Sequence, residues 1–147
     1  DINQDTMLVP GTDGQKMSKS YGNTIPIFAE YSELKKAVMS IVTDSAGINE
    51  PKDKDTPLYN IYSLFLNDEE KEILSDRYES PGLRYGDVKK ELLEKIYEYI
   101  SPYRKKREYL LNNTDDVRQV LNKGKEKASL VANDYIEKVR EAMGIAY

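Results

Sequence analysis

From Tyr31 onward the apolar residues return every three or four positions, a spacing that suits helices with one buried face and does not suit strands. The spacing predicts a helix near Ser32, with that serine as its cap, Glu33 in the first turn, and Leu34, Val38, Ile41 and Val42 as its stripe. Residues from Thr43 to Pro57 are polar, hold Gly47 and Pro51, and read as a connection. Thr56 then caps a helix that has Pro57 at its first position. That helix, Leu58 to Leu66, is apolar enough to be buried. Asn67 caps a short acidic helix to about Tyr78, stopped by Ser80-Pro81-Gly82.

Two long helices close the chain. The first runs from Asp87 to about Asn112 with Val88, Leu92, Ile96, Ile100 and Tyr103 on one side, and Pro102 is expected to kink or break it. The second starts at Thr114 beside Asp115 and Asp116. Its stripe includes Val117, Val120, Leu121, Ala128, Val131, Tyr135, Val139 and Met143, with Gly144 as its C-terminal cap. These segments predict a mainly α, bundle-like domain over residues 29–147.

Residues 1–28 are different. Met7-Leu8-Val9 is a short apolar run consistent with the end of a buried strand, followed by the turn formers Pro10-Gly11-Thr12-Asp13-Gly14. The basic run Lys16-Met17-Ser18-Lys19-Ser20 comes next, then Tyr21-Gly22-Asn23. Gly11, Gly14 and Gly22 bracket that run with residues that tolerate positive φ. Such a stretch is a polar, positively charged loop leaving a strand.

What the chain lacks narrows its chemistry. Its 147 residues include no Cys and no His, so disulfides, thiolate nucleophiles, His general bases and the usual zinc ligand sets are all excluded. Catalysis would have to run on Lys, carboxylates, hydroxyls and backbone. No apolar run approaches the length of a membrane span and no secretory leader is visible, so a soluble, cytoplasmic protein with no membrane partner is expected. The opening Asp1-Ile2-Asn3 lacks an initiator Met, as a fragment or processed chain would. Charge is uneven: residues 1–100 hold 12 Lys and Arg against 19 Asp and Glu, a net of −7, whereas residues 101–147 hold 10 against 7, a net of +3. A basic C-terminal segment on an acidic chain suits contact with a polyanion, although charge alone fits a solvated helix face better.

The Lys16–Ser20 run is the sharpest chemical feature. Two ammonium groups three positions apart, interleaved with hydroxyls and backbone N–H groups, match a polyphosphate. Lys suits the task because a compact charge on a flexible stem can follow phosphate oxygens as charge moves. Flanking glycines would let the loop close over a nucleotide and reopen. A P-loop does not fit, because Gln15 follows Gly14. Ser32-Glu33-Leu34-Lys35 matches a Ser-x-x-Lys pattern by letter only, and the sequon Asn112-Asn113-Thr114 lacks a secretory context.

Lys16 to Ser20, with Tyr21-Gly22-Asn23 behind it, resembles the K-M-S-K-S signature of class I aminoacyl-tRNA synthetases. Four further stretches, Val42–Gly47, Leu83–Lys89, Gly124–Ala128 and Val139–Gly144, resemble in order the C-terminal region of the bacterial-type tryptophanyl-tRNA synthetase family. The resemblance covers nearly the whole chain, and the tyrosine-specific family is its nearest neighbour.

The resemblance implies ATP-dependent activation of tryptophan and transfer to tRNA(Trp), with Mg2+ accompanying ATP. It implies that residues 1–28 are the end of a Rossmann catalytic domain and residues 29–147 an α-helical anticodon-binding domain. Lys16 and Lys19 would be catalytic, stabilising charge on the leaving pyrophosphate. Ser18 and Ser20 would donate to phosphate, Met17 would pack near the nucleotide, and Met7 would meet adenine through its backbone. No residue is expected to hold a metal. The family's His-Ile-Gly-His signature cannot occur in a chain without His. The Rossmann half, the tryptophan pocket and much of the homodimer interface would therefore lie elsewhere, and this chain alone would be inactive.

For tRNA, the candidates are Arg104, Lys105, Lys106, Arg107, Lys123, Lys125 and Lys127. The last three alternate along a helix, so at most two face one partner. Twelve Tyr offer stacking surfaces, but Tyr59, Tyr62 and Tyr135 lie on apolar stripes and read as core. A helical RNA-binding module without a catalytic task, and the matching part of a tyrosine–tRNA ligase, are the alternative readings.

Overall fold

A computed structural model describes residues 8–145. Five helices account for most of them: α1 Tyr31–Met39, α2 Pro57–Ser63, α3 Asp68–Glu79, α4 Tyr85–Asn112 and α5 Thr114–Ala142. The expected mainly α fold is what forms. Packing divides the chain into one unit reaching Pro102 and another from Tyr103 onward. The loop residues 8–28 lie in the first unit with α1 to α3 and the start of α4.

The first unit has a continuous core. Leu34 and Val38 of α1, Leu58 and Ile61 of α2, Leu74 and Tyr78 of α3, and Val88, Leu92, Leu93 and Ile96 of α4 are all buried. Capping sets two of these helices in register. Thr56 Oγ1 accepts from Tyr59 N–H ahead of Pro57, and Asn67 forms a reciprocal capping box with Glu70. Arg77 of α3 forks its two terminal guanidinium nitrogens onto Glu91 of α4 at 2.7 and 2.8 Å, in the planar geometry only Arg offers.

Several expectations give way to tertiary contacts. Glu30, not Ser32, occupies the cap position of α1, and it makes no side-chain cap bond. Tyr31 instead fixes that end by donating to Glu94 at 2.6 Å and packing edge-on against Tyr97. Ile41 is buried although it lies past the helix, whereas Val42 is exposed. Helix α2 stops at Ser63, where tighter turns lead through Phe65 and Leu66. Leu8 and Val9, expected in a buried strand, are exposed; no strand occurs among the described residues for them to pair with. Met7 lies outside the described residues.

The polar connection also holds a buried cation. Lys52 is 6% exposed; its ammonium donates to the carbonyls of Ala46 and Gly47 and lies 5.3 Å from the centre of the Tyr85 ring. Its backbone N–H donates to Tyr78 C=O at 2.6 Å, stitching the connection to α3. Nearby, Asp44 accepts from Ala46 N–H and the Tyr85 hydroxyl, both at 2.8 Å. Burial opposes ionisation of Asp44, but these bonds and the Lys52 charge hold its carboxyl below the usual value.

The second unit consists of the end of α4 and α5. Pro102 does not end α4, which is helical through to Asn112. Tyr103, expected on the apolar stripe, is exposed. In α5, Asn113 rather than Thr114 is the cap residue, and its amide donates back to Tyr109 C=O at 2.8 Å. The stripe expected to be buried is solvent-facing: Val120, Leu121, Val131, Tyr135, Val139 and Met143 are all exposed.

Candidate functional site

The basic run sits at the end of a tight hairpin-like turn. Pro10 and Lys16 form an isolated antiparallel bridge, and Met17 N–H donates to Val9 C=O at 3.0 Å. Between them, Gly11 N–H donates to Gln15 C=O and Gly14 N–H to Gly11 C=O. Gly14 takes φ +85°, and Asp13 closes the turn by accepting from Gln15 N–H at 3.0 Å.

Past the turn, Ser18 caps a single 3-10 turn, Lys19–Tyr21. Its Oγ accepts from Ser20 N–H at 3.2 Å, and Gly22 ends the turn at φ +68°. Lys16, Lys19 and Ser20 are exposed, and Ser18 is half-buried. Neither Lys is ion-paired with a described residue, so both ammonium groups face water. Met17 packs its side chain against the core of the first unit and so anchors the run between its two cations.

The structure brings Lys16, Ser18, Lys19 and Ser20 together on one short loop. A cavity of about 580 Å³ opens beside it, with Gln15, Lys16, Tyr59, Asn60, Ser63 and Lys71 in its wall. Lys71 was not among the expected site residues; nothing in its helical context distinguishes it from a solvated cation.

Of the three glycines that bracket the run, Gly14 and Gly22 adopt positive φ and Gly11 does not. Gly11 serves close approach instead: a Cβ there would lie 2.2 Å from Asn23 Nδ2. Asn23 itself, quoted in the sequence only as flanking context, is 3% exposed and bonded throughout the loop. Its amide donates to Asp13, and this bond is the main reason the Asp13 carboxyl is held below its ordinary value. Only an Asn shortly after a glycine-rich turn hinted at this role, and many surface turns share that pattern.

The basic candidates sit in the second unit. Lys105, Lys106, Arg107, Lys123, Lys125 and Lys127 are exposed, and Arg104 is half-buried. Lys106 lies over the Tyr109 ring at 4.8 Å. On α5, Lys123 and Lys127 are four residues apart and share a face, while Lys125 points the other way. Among the tyrosines expected in the core, Tyr62 is buried and Tyr59 packs against the core, but Tyr135 is 66% exposed.

Residues 2–101 match the family described as tRNA synthetases class I (W and Y). The chain is 48% identical over 98% of its length to the tryptophan–tRNA ligase of Fusobacterium nucleatum, and 44% identical over 93% to that of Rhodopirellula baltica. It spans 44% and 43% of those relatives, less than half of each. Among solved structures, it superposes with a TM-score of 0.87 and 39% identity on tryptophanyl-tRNA synthetase from Campylobacter jejuni complexed with ADP and tryptophan. That likeness covers 97% of this chain and 45% of the other. The match over most of the chain, on a loop that carries Lys16-Met17-Ser18-Lys19-Ser20, places this protein in the class I tRNA synthetase family of the tryptophan and tyrosine enzymes.

Proposed function

We propose that this chain supplies the ATP loop and the tRNA-contacting helices of a tryptophan–tRNA ligase. The reaction joins tryptophan to tRNA(Trp) with conversion of ATP to AMP and pyrophosphate. The observation that carries the reading is the Lys16–Ser20 loop, with its backbone tied down and both ammonium groups presented to solvent. Similarity to tryptophan–tRNA ligases over nearly the whole chain selects tryptophan over tyrosine.

The tryptophan carboxylate attacks the α-phosphate of ATP, its oxygen forming a bond to phosphorus as the bond to pyrophosphate breaks. Negative charge grows on the leaving pyrophosphate, where Lys16 and Lys19 stabilise it without transferring a proton. Ser18 and Ser20 contribute hydroxyl donors to phosphate. Mg2+ enters with the nucleotide as part of the substrate. In this reading residues 1–28 belong to the catalytic domain and residues 29–147 to the anticodon-binding domain. Met17 then lies near the nucleotide.

The rest of the catalytic wall, the tryptophan pocket and the homodimer contacts come from sequence beyond this chain's match. The chain alone is therefore expected to be inactive. The full-length enzyme is proposed to work in the cytoplasm. No helix among the described residues is long and apolar enough to cross a membrane.

The test is tryptophan-dependent ATP–pyrophosphate exchange by the full-length enzyme. Lys16→Ala and Lys19→Ala should each slow exchange about 100-fold or more, as removal of a group that stabilises transition-state charge does. Unchanged rates would refute the assignment. For tRNA, charge reversal at Lys123 and Lys127, which share a face, should weaken binding and flatten its salt dependence by about 0.9 for each phosphate no longer neutralised. An unchanged slope would remove these lysines from the interface.

A further inference from the structure

We propose that Asn23 is a positioning residue for the phosphate loop: one buried amide fixes the backbone from which Lys16 and Ser18 act. This rests on the loop's proposed role in adenylate formation, and the experiments below fail separately from that reading.

Both polar atoms of the Asn23 side chain are used. Its Oδ1 accepts from Ser18 N–H at 2.8 Å, and its Nδ2 donates to Asp13 Oδ1 at 2.7 Å and to Lys16 C=O at 3.2 Å. An amide has two N–H donors and one carbonyl oxygen, so the demand of the loop and the supply of Asn23 match. Only one orientation of the amide works, because Ser18 N–H can only donate and the other two partners can only accept.

The position is also enclosed. Asn23 is 3% exposed, and Gly11 opens the space for it, since a Cβ at Gly11 would lie 2.2 Å from Nδ2 and 2.4 Å from Cγ. Thr12 N–H donates to Asn23 C=O at 3.0 Å, closing the arrangement through the backbone. Asn23 thus joins the turn tip, the first lysine and the cap of the 3-10 turn, which precede it by ten, seven and five residues. The ammonium groups stay in water on flexible stems while their backbone is held. Ordering the loop on folding leaves less to order when substrate binds, and that gain appears in turnover rather than in tryptophan affinity.

Asn23→Asp keeps the acceptor for Ser18 but turns a carboxylate oxygen toward Asp13 and Lys16 C=O. In full-length enzyme, kcat for ATP–pyrophosphate exchange should fall about 10- to 100-fold, the scale expected for a misplaced catalytic group. KM for tryptophan should stay within about twofold. Adding Asp13→Asn restores a donor opposite position 23 and should recover kcat about threefold or more over the single variant. Protonation of the carboxylate pair offers a second signature: the ratio of Asn23→Asp to wild-type activity should rise as pH falls. Hydrogen exchange at the Ser18 amide should speed up in Asn23→Ala while core amides stay protected.

Wild-type kcat in a folded Asn23→Asp enzyme would overturn the proposal. So would a double variant that recovers thermal stability without recovering kcat, or unchanged exchange at the Ser18 amide. If Lys16→Ala and Lys19→Ala are also silent, the functional reading of the loop has failed. If they abolish exchange while Asn23→Asp does not, only the positioning role has.

Discussion

Helices α4 and α5 carry apolar stripes of the same period and similar length, yet they meet different fates. In the first unit, Val88, Leu92, Ile96 and Ile100 of α4 are buried against α1, α2 and α3. In the second, no described residue is fully buried, and the α5 stripe from Val120 to Met143 faces water. Periodicity states which residues share a face. Whether that face is covered depends on what else folds beside it, and this information lies outside the helix.

The difference can be tested with paired truncations. Leu92→Ala removes a side chain that is 0% exposed and should cost about 2–5 kcal/mol in urea unfolding of the chain, a core-cavity effect. If it costs no more than a surface change, the first unit is not packed as described. Lys52→Met is next in size. It leaves the carbonyls of Ala46 and Gly47 without their ammonium partner, at about 1–3 kcal/mol for a buried group left unsatisfied. A neutral result would place that ammonium in solvent.

A smaller effect comes from alkaline pH. Burial, then the Glu91 charge and the hydrogen bond to it, push the Tyr62 hydroxyl up to about 12. The unfolded chain releases that proton near the ordinary tyrosine value, so it holds fewer protons than the folded chain between about pH 10 and 12. The stability Tyr62 contributes is complete below pH 10 and declines as pH rises through that window, by about 1 kcal/mol at its middle. Tyr62→Phe should flatten the decline, and tyrosinate absorbance should count one tyrosine fewer titrating late. The smallest change expected is Leu130→Ala, whose side chain is 74% exposed: within about 0.5 kcal/mol. A larger loss would show that α5 is covered after all.

Local signals were the legible part of the fold. Thr56-Pro57 and Asn67 mark their helix starts because capping uses neighbours within three residues, and both caps form as expected. The Lys16–Ser20 run was legible for the same reason, since its residues lie side by side in the chain. Where partners are distant, the sequence was silent. Ser32 looked like a cap, but Tyr31 is held by Glu94, 63 positions away. Lys52 lies in a stretch that read only as a polar connection, whereas the carbonyls at positions 46 and 47 fold back over its ammonium. Tyr135 read as core because periodicity cannot report whether another surface covers the stripe, and among the described residues none does. At the site, the candidate lysines and serines were visible and the bonds that hold their backbone were not. The Gly11–Asn23 pairing exists only once the turn between them has closed.

The strut beneath that turn has an evolutionary corollary. Thr12 passes its N–H to Asn23 and takes the N–H of Val42 on its carbonyl at 2.8 Å, so the link from the loop to the end of α1 is main chain to main chain. Bonds of that kind are indifferent to side-chain identity and strict about residue number. Point changes between positions 24 and 41 can accumulate without disturbing the link, provided the core side chains are kept. A single insertion or deletion there would draw the wrong amide up to Thr12, so drift in this lineage should appear as substitution and rarely as a change of length.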